Sequence, residues 1–331
     1  MEKVIAVIVT YNRQVLLAEC ISALKKQTRP ADKILVINNG SNDHTEIWLR
    51  QQEGIEHISQ KNLGSAGGFN TGIKLAYEEG FSWIWLMDDD GFPKENALEK
   101  LLEGNPEPLM LRNCAVINKE DKQSFVWKTG NFKKLSEVDK KIIPNVSHPF
   151  NGTLLHRKIV ERVGLPKQKL FIWGDETEYR FRIINKNKIP YCTVSDSIHY
   201  HPASVSAYKT DWDFCSNWKM YYYLRNRFAI LRARYHQSFF LATCMYFGFI
   251  MLFAASVIVF QKTNKFKKLG FIIWPLSHAL EDEYNITPQN VIEKLSQISY
   301  SSNNNYFQNQ LKLIKGMFAQ SAPVFNKLKK A

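Results

Sequence analysis

The stretch Trp83-Ile84-Trp85-Leu86-Met87-Asp88-Asp89-Asp90-Gly91-Phe92-Pro93 joins an apolar run to three consecutive carboxylates and a Gly-x-Pro turn. It reads as a buried strand that stops at a loop of concentrated negative charge. Adjacent carboxylates repel one another, and a cation placed among them relieves that repulsion; all-oxygen ligation suits Mg²⁺ or Mn²⁺. In an extended segment Asp88 and Asp90 project to one side and Asp89 to the other. Asp88 and Asp90 therefore form a candidate pincer for one divalent metal, with room for the oxygens of a diphosphate. A solvated acidic turn has the same local sequence, so the decision rests on the surroundings.

Upstream, Val4 to Val9 is a continuous apolar run rich in β-branched residues, followed by Thr10-Tyr11-Asn12-Arg13. It reads as a buried parallel strand opening into a loop. Residues 15–26 carry Leu16, Leu17, Cys20, Ile21 and Leu24 at helical spacing, and Lys33 to Ile37 reads as a second strand running into Asn38-Asn39-Gly40-Ser41-Asn42-Asp43. Strand, helix, strand is the βαβ pattern, in which ligands bind at the carboxyl edge of the sheet. Asn38, Asn39 and Asp43 fall at that edge, although turn formation alone also explains them. Next comes Asn62-Leu63-Gly64-Ser65-Ala66-Gly67-Gly68, leading into a helix at Ile73. Its glycines let a backbone approach a ligand, and a following helix N-terminus offers N–H groups to phosphate. The run is neither a P-loop nor a Gly-x-Gly-x-x-Gly fingerprint.

Downstream, Asn151-Gly152-Thr153 is a small-residue turn or a plain strand entry. The segment Phe171-Ile172-Trp173-Gly174-Asp175-Glu176-Thr177-Glu178-Tyr179-Arg180-Phe181-Arg182 places acids in the first turn of a helix, where the dipole favours them. In Ser195 to Pro202, His199 and His201 stand at i and i+2 and share one face of an extended chain. His148 and His156 read as structural.

The chain has 331 residues, enough for one sizeable core and an appendage. Cys20, Cys114, Cys192, Cys215 and Cys244 have no paired spacing, and Met1-Glu2-Lys3 opens directly into a strand. Reduced thiols on the cytosolic side are expected, with neither a disulfide framework nor a zinc site. The net charge of +13 is uneven: Tyr208 to Ala331 holds 16 Lys and Arg against 6 Asp and Glu, a net of +10. That excess points the tail toward an anionic surface. Phe239 to Phe260 lacks any charge and is long enough to cross a bilayer. Both its flanks are basic, with Arg225, Arg227, Arg232 and Arg234 before it and Lys262, Lys265, Lys267 and Lys268 after, whereas a single span should be positive on one side. A helix lying on or dipping into the inner leaflet is favoured over a span, and over a buried core helix. Nucleic acid is disfavoured, because the charges flank an apolar run without interleaved aromatics.

The Thr10-Tyr11-Asn12-Arg13 loop, the Asn38 to Asp43 loop, Asn62-x-Gly-x-x-Gly-Gly, the Asp-Asp-Asp-Gly stretch and Trp173-Gly174-Asp175-Glu176-x-Glu178 occur in the order seen in family 2 glycosyltransferases, and residues 4–207 resemble them. The resemblance implies the α/β GT-A fold, a mixed and mostly parallel sheet flanked by helices, for 1–207, with a helical, basic, membrane-associating region at 208–331. It implies an inverting enzyme with Thr10, Asn12, Arg13, Asn39, Asp43, Asn62, Gly64, Gly67 and Asp89 toward a nucleotide-sugar. Mn²⁺ or Mg²⁺ is expected on Asp88, Asp90 and a histidine. His199 is preferred because Ser204 lies five residues on, with His201 the alternative. Glu176 takes the position of the general base by register, with Asp175 the alternative. Trp173, Glu178 and Gly152 fall on the acceptor side, and Glu178 alternatively pairs with Arg180 or Arg182. Asn38 is a departure at a position where many members of the family carry an Asp that contacts the pyrimidine ring.

Tyr221-Tyr222-Tyr223-Leu224-Arg225-Asn226 resembles a helix of rhamnosyl- and galactofuranosyl-transferring relatives. The resemblance of Asp-Asp-Asp-Gly joined to Trp173-Gly174-Asp175-Glu176-x-Glu178-Tyr179 to galactofuranosyltransferases makes UDP-galactofuranose the first expected donor, and that to rhamnosyltransferases makes dTDP-rhamnose the second. It implies a lipid-linked polysaccharide or O-antigen-type acceptor at the cytoplasmic face of the inner membrane. A non-catalytic scaffold in a glycan assembly complex is the competing class, and the intact acids argue against it.

Overall fold

The computed structural model describes residues 2–203, 211–213, 216–300 and 309. The chain divides into two compact units, residues 1–205 and 206–331. The expected boundary at 207/208, and with it Ser204 and Cys215, lies outside the described residues.

In the first unit β1 (Val4–Thr10), α1 (Gln14–Lys25), β2 (Lys33–Asn38), α2 (Thr45–Leu49), β3 (Glu56–Ser59), α3 (Gly64–Glu78) and β4 (Trp83–Asp88) build a parallel βαβ half. Then come β5 (Phe92–Pro93), α4 (Ala97–Leu102), β6 (Leu111–Asn118), β7 (Ser124–Thr129), β8 (Phe132–Lys134), β9 (Ile142–Pro144) and β10 (Asn151–His156). The unit closes with α5 (Arg157–Val163), α6 (Asp175–Phe181) and β11 (Tyr191–His201).

The strands order as β3-β2-β1-β4-β10-β6-β11-β5, with β1 parallel to β2 and β4, β2 parallel to β3, and β6 parallel to β11. Antiparallel β10 joins the two parallel halves. Because helices cover both faces, β1 is buried throughout, and its alternate residues feed two cores. Val4, Ala6 and Ile8 pack with Leu17, Ile21 and Leu24 of α1, while Ile5, Val7 and Val9 pack with Phe69 and Ile73 of α3. The chain reverses direction across the sheet on either side of β1, which leaves a crevice at the carboxyl ends of β1, β2 and β4.

The glycine run differs from the expected ligand-facing loop. Helix α3 already begins at Gly64, nine residues ahead of Ile73. A Cβ on Gly68 would stand 2.4 Å from Val9 Cγ1, one on Gly72 2.4 Å from Val7 Cγ1, and one on Gly67 2.2 Å from Leu63 Cβ. Gly68 and Gly72 seat the helix tightly against β1, and Gly67 makes room for the Leu63 side chain at the helix start. Gly64 takes φ +68° under the Phe171 carbonyl, so it too is spent on chain packing.

The second unit contains α7 (Lys219–Arg234), α8 (Phe239–Phe260), α9 (Lys265–Leu280) and α10 (Pro288–Tyr300). Ala242, Tyr246, Ile250, Phe253 and Val257 form the buried stripe of α8. Tyr246 stacks on Phe228 at 5.0 Å and donates from Oη to the Leu224 carbonyl at 3.1 Å, which fixes α8 on α7. The opposite face is apolar and open, with Phe240, Met251 and Leu252 each 70% exposed or more. The basic residues that flank α8 in the sequence are not all solvated. Arg225 is fully buried among the rings of Tyr221, Tyr222 and Tyr284, and Lys268 is fully buried on Asp211 at 2.7 Å. Lys267 is also buried and donates to the Ser299 carbonyl. Arg227, Arg232, Arg234, Lys262 and Lys265 keep their side chains at least partly in solvent.

Candidate active site

Strand β4 ends at Asp88, and the chain turns at once through Asp89 and Asp90, so the alternation expected of an extended segment does not apply. Asp89 is 4% exposed and accepts from Thr10 Oγ1 at 2.7 Å and from Arg13 Nη1 at 3.1 Å. Asp90 accepts from the same Arg13 nitrogen at 2.8 Å, and its Oδ1 lies 3.4 Å from His201 Nε2. Asp89 and Asp90 thus share Arg13, while half-buried Asp88 stands apart from both of these contacts. Burial, then Asp90, Asp89 and Glu176, hold the Asp88 carboxyl well above the usual carboxylate range. Burial raises Asp89 to about 6 against the pull of Arg13 and Thr10. Burial also acts to raise Asp90, but His201 and Arg13 outweigh it and bring it to about 2.

His199 and His201 share a face of β11, as their spacing predicts. His201 reaches Asp90, whereas His199 is fully buried, with Nε2 2.3 Å from where a Cβ on Gly91 would sit. Neither ring nitrogen of His199, nor Oδ1 of Asp90, has a hydrogen-bond partner among the described residues. Burial, with the charge of His201 adding, lowers His199 to about 3. The expected trio of Asp88, Asp90 and His199 is not gathered into a ready-made cation cage: among the described residues no three His, Cys, Asp or Glu side chains are. The physical reason is that Arg13 and His201 already draw Asp90 to themselves.

Helix α6 brings a second acidic group to the same edge. Gly174 at φ +109° turns the chain into the helix, and Trp173 before it also has a positive φ of 60°. Asp175 is buried and accepts from Ser65 Oγ of α3. Burial and the neighbouring Glu176 charge raise its carboxyl well above the usual range, with Asp88 contributing. Glu176 is half-buried and accepts from the Gly174 N–H at 3.1 Å and from Thr177 Oγ1 at 3.2 Å. The Asp88 loop and the Asp175-Glu176 pair therefore feel one another's charge across the crevice.

Other residues expected at the site shape its edge from behind. Asn39 is buried, giving its amide N–H to the Gly64 carbonyl at 2.9 Å and accepting from Gln60 at 2.7 Å. Asn62 Oδ1 accepts from the Gly64 N–H, which ties down the start of α3. Asn12, at φ +54°, clamps the 41–42 loop through Ser41 Oγ and the Asn42 N–H. Asp43 accepts from the Thr45 N–H at the start of α2. Asn38 is satisfied by Glu46, Ser59 and the Ser41 N–H.

Two acceptor-side expectations are corrected. Glu178 is fully buried between Arg182 Nε at 3.0 Å and Lys167 Nζ at 2.8 Å, so it takes the pairing role with Arg182. Gly152 is buried inside β10, where a Cβ would stand 2.6 Å from Cys114 Sγ, so it permits strand packing beneath the edge. Sequence reasoning missed Trp127, whose ring lies 4.9 Å from that of His201 and 5.5 Å from that of His148. Nothing in the sequence marks a lone Trp on a short strand for that position.

The chain is similar to known proteins in sequence and in fold. The profile for "Glycosyl transferase family 2" matches residues 5–163. Galactofuranosyltransferase GlfT1 of Mycobacterium tuberculosis (strain ATCC 25618 / H37Rv) is 31% identical over 222 residues, covering 63% of this chain and 73% of the relative. The dTDP-rhamnosyl transferase RfbF of Shigella flexneri is 27% identical over 240 residues, covering 69% and 79%. The crystal structure of S. aureus TarS 1–349 in complex with UDP is similar in fold, with a TM-score of 0.53 and 13% identity over 95% of this chain and 92% of that one.

Proposed function

The chain belongs to glycosyl transferase family 2 and is a glycosyltransferase, and from that premise we propose that it moves galactofuranose from UDP-galactofuranose to a lipid-linked polysaccharide or O-antigen-type glycan. The observation that carries the reading is the meeting of the Asp88-Asp89-Asp90 turn with the Asp175-Glu176 pair at one sheet edge, in a chain about 31% identical to galactofuranosyltransferases. Glu176 is the base in this reading, because it is partly exposed while Asp175 is buried beneath it. The acceptor O–H gives its proton to Glu176 as its oxygen bonds to the anomeric carbon, and the C–O bond to the diphosphate breaks with the electron pair leaving on the diphosphate. Attack from the opposite face inverts the centre. In this reading Arg13, held between Asp89 and Asp90 and 43% exposed, supplies positive charge to the departing diphosphate.

The donor set fits a divalent metal. Three successive carboxylates at Asp88, Asp89 and Asp90, a buried Asp90 oxygen without a hydrogen-bond partner among the described residues, and an imidazole 3.4 Å from that oxygen make an oxygen-rich donor set. Asp88, Asp90 and His201 or His199 would hold Mn²⁺ or Mg²⁺, whose charge neutralises the leaving diphosphate. Titrating UDP and dTDP by calorimetry, with and without Mn²⁺, tests the donor. Preference for dTDP would move the assignment to the rhamnosyl reading that the Shigella relative supports.

For the second unit we propose attachment to the cytoplasmic face of the inner membrane through the open face of α8, the one helix among the described residues apolar and long enough to span, with mean hydropathy 2.2. Aliphatic and aromatic side chains at Phe240, Met251 and Leu252 beside Arg232, Arg234 and Lys262 suit an anionic leaflet. Changing all three apolar residues to Ser should abolish flotation with phosphatidylglycerol vesicles; unchanged flotation would refute this docking face.

A further inference from the structure

We propose that Trp127 is the platform on which the acceptor sugar stacks, and that the groove of the β7–β8 hairpin receives the adjoining part of the acceptor glycan. The proposal rests on the glycosyltransferase reading above and adds its acceptor subsite.

Strand β7 meets β6 at a single register pair, Ile117↔Phe125, so the hairpin leaves the plane of the sheet soon after it starts. Its far end is tied back at Thr129, whose Oγ1 lies 3.4 Å from His148 Nε2. Between these two points Trp127 lies against two imidazoles, and one of them, His201, reaches Asp90 at 3.4 Å. Trp127 is thus one residue removed from the acidic turn. Strand order places it on the β6–β11 side of the acids, whereas the loops after β1 and β2 lie on the other. If the nucleotide takes the β1–β2 side, the Trp127 side remains for the acceptor.

The chemistry of the wall fits a sugar. Trp85, in the core, is fully buried, but Trp127 keeps part of its ring in solvent while two neighbouring rings fix its orientation. A pre-oriented aromatic face is a low-entropy surface for the C–H groups on one side of a sugar ring. The same Trp127 lines a groove of about 470 Å³ with Phe125, Phe132, Lys128, Asn131 and Lys133, which offers apolar walls and hydrogen-bond donors together. That size lies within the ~300–1,000 Å³ of small-molecule sites.

The test uses the full chain, with octyl β-D-galactofuranoside as probe in the presence of UDP and Mn²⁺. Trp127→Ala should weaken glycoside binding at least tenfold and Trp127→Phe by less than threefold, with UDP affinity unchanged in both. In turnover the glycoside KM should rise in Trp127→Ala by a larger factor than kcat falls. Glycoside affinity in Trp127→Ala within twofold of the unaltered chain overturns the proposal. So does loss of UDP binding in Trp127→Phe, or an unaltered chain that binds UDP but no octyl glycoside of galactofuranose, rhamnose or glucose. An unaltered chain that binds the glycoside but not UDP sinks the donor reading alone, and the comparison with Trp127→Ala still decides the platform.

Discussion

Replacing Glu176 by Gln separates chemistry from architecture at this site. The carboxylate accepts from the Gly174 N–H at 3.1 Å and from Thr177 Oγ1 at 3.2 Å; an amide oxygen keeps the first and the NH₂ can donate to the Thr177 hydroxyl in place of the second, so at most one bond is weakened. One hydrogen bond at a half-exposed position is worth about 1 kcal/mol, so the variant should fold and melt within a few degrees of the original. The amide has no lone pair basic enough to take the acceptor proton, and removing a general base typically costs ~10²–10⁴-fold in rate. That corresponds to ~3–5 kcal/mol on the barrier, several times the structural effect. The assay is release of UDP from UDP-galactofuranose with acceptor present, alongside calorimetric UDP affinity, which should stay within threefold. Asp175→Asn is the paired control: its carboxyl is buried, accepts from Ser65 and is already pushed toward its neutral form, so an amide mimics it. If Glu176→Gln keeps a tenth of the activity while Asp175→Asn is inert, the base is Asp175 and the argument from accessibility is wrong.

Three further outcomes follow from the packing. Asp89→Ala leaves the Thr10 hydroxyl and the Arg13 guanidinium without their shared carboxylate, and should cost about 2 kcal/mol by chemical denaturation as well as weakening UDP binding; a silent substitution would restore the mild role that strand alternation assigns to it. Glu178→Gln breaks the clasp with Arg182 and Lys167 and should cost about 2–3 kcal/mol while leaving kcat per folded molecule intact, so selective loss of acceptor affinity would return Glu178 to the acceptor site. His199 is held neutral with its pKa lowered to about 3, so the unfolded chain binds the extra proton between about pH 6.5 and 3, and stability present above that window is lost as pH falls through it. Between pH 7 and 5 that loss is about 2 kcal/mol, and denaturation of His199→Asn at both values should show a fall smaller by that amount; an equal fall would mean His199 is not buried neutral.

Much of the first unit was legible because periodicity follows burial. A sheet covered on both faces leaves continuous apolar strands at 4–9, 33–37 and 83–87, and the turn formers after each mark the ligand edge. What the sequence concealed are contacts made by residues far apart in the chain. Spacing cannot tell whether Gly64, Gly67 and Gly68 approach a ligand or another part of the chain, because both demand a missing Cβ. Alternation of Asp88, Asp89 and Asp90 holds only while the strand continues, and the chain turns right after Asp88. Arg13 lies 76 residues from Asp89 and couples the first loop to the acids, which no local pattern announces. In the second unit the 22-residue apolar helix was plain from composition. The burial of Arg225, Lys267 and Lys268 was not, since a basic side chain reads as solvated until its partners are known.

The central claim is tested most directly by incubating the purified full chain with UDP-galactofuranose, Mn²⁺ and octyl β-D-galactofuranoside, and following product and UDP together by NMR. The account predicts one UDP released per galactofuranose transferred, with an anomeric configuration in the product opposite to that of the donor. UDP-galactofuranose left unconsumed while dTDP-rhamnose turns over, or a product that retains the donor's configuration, would contradict it.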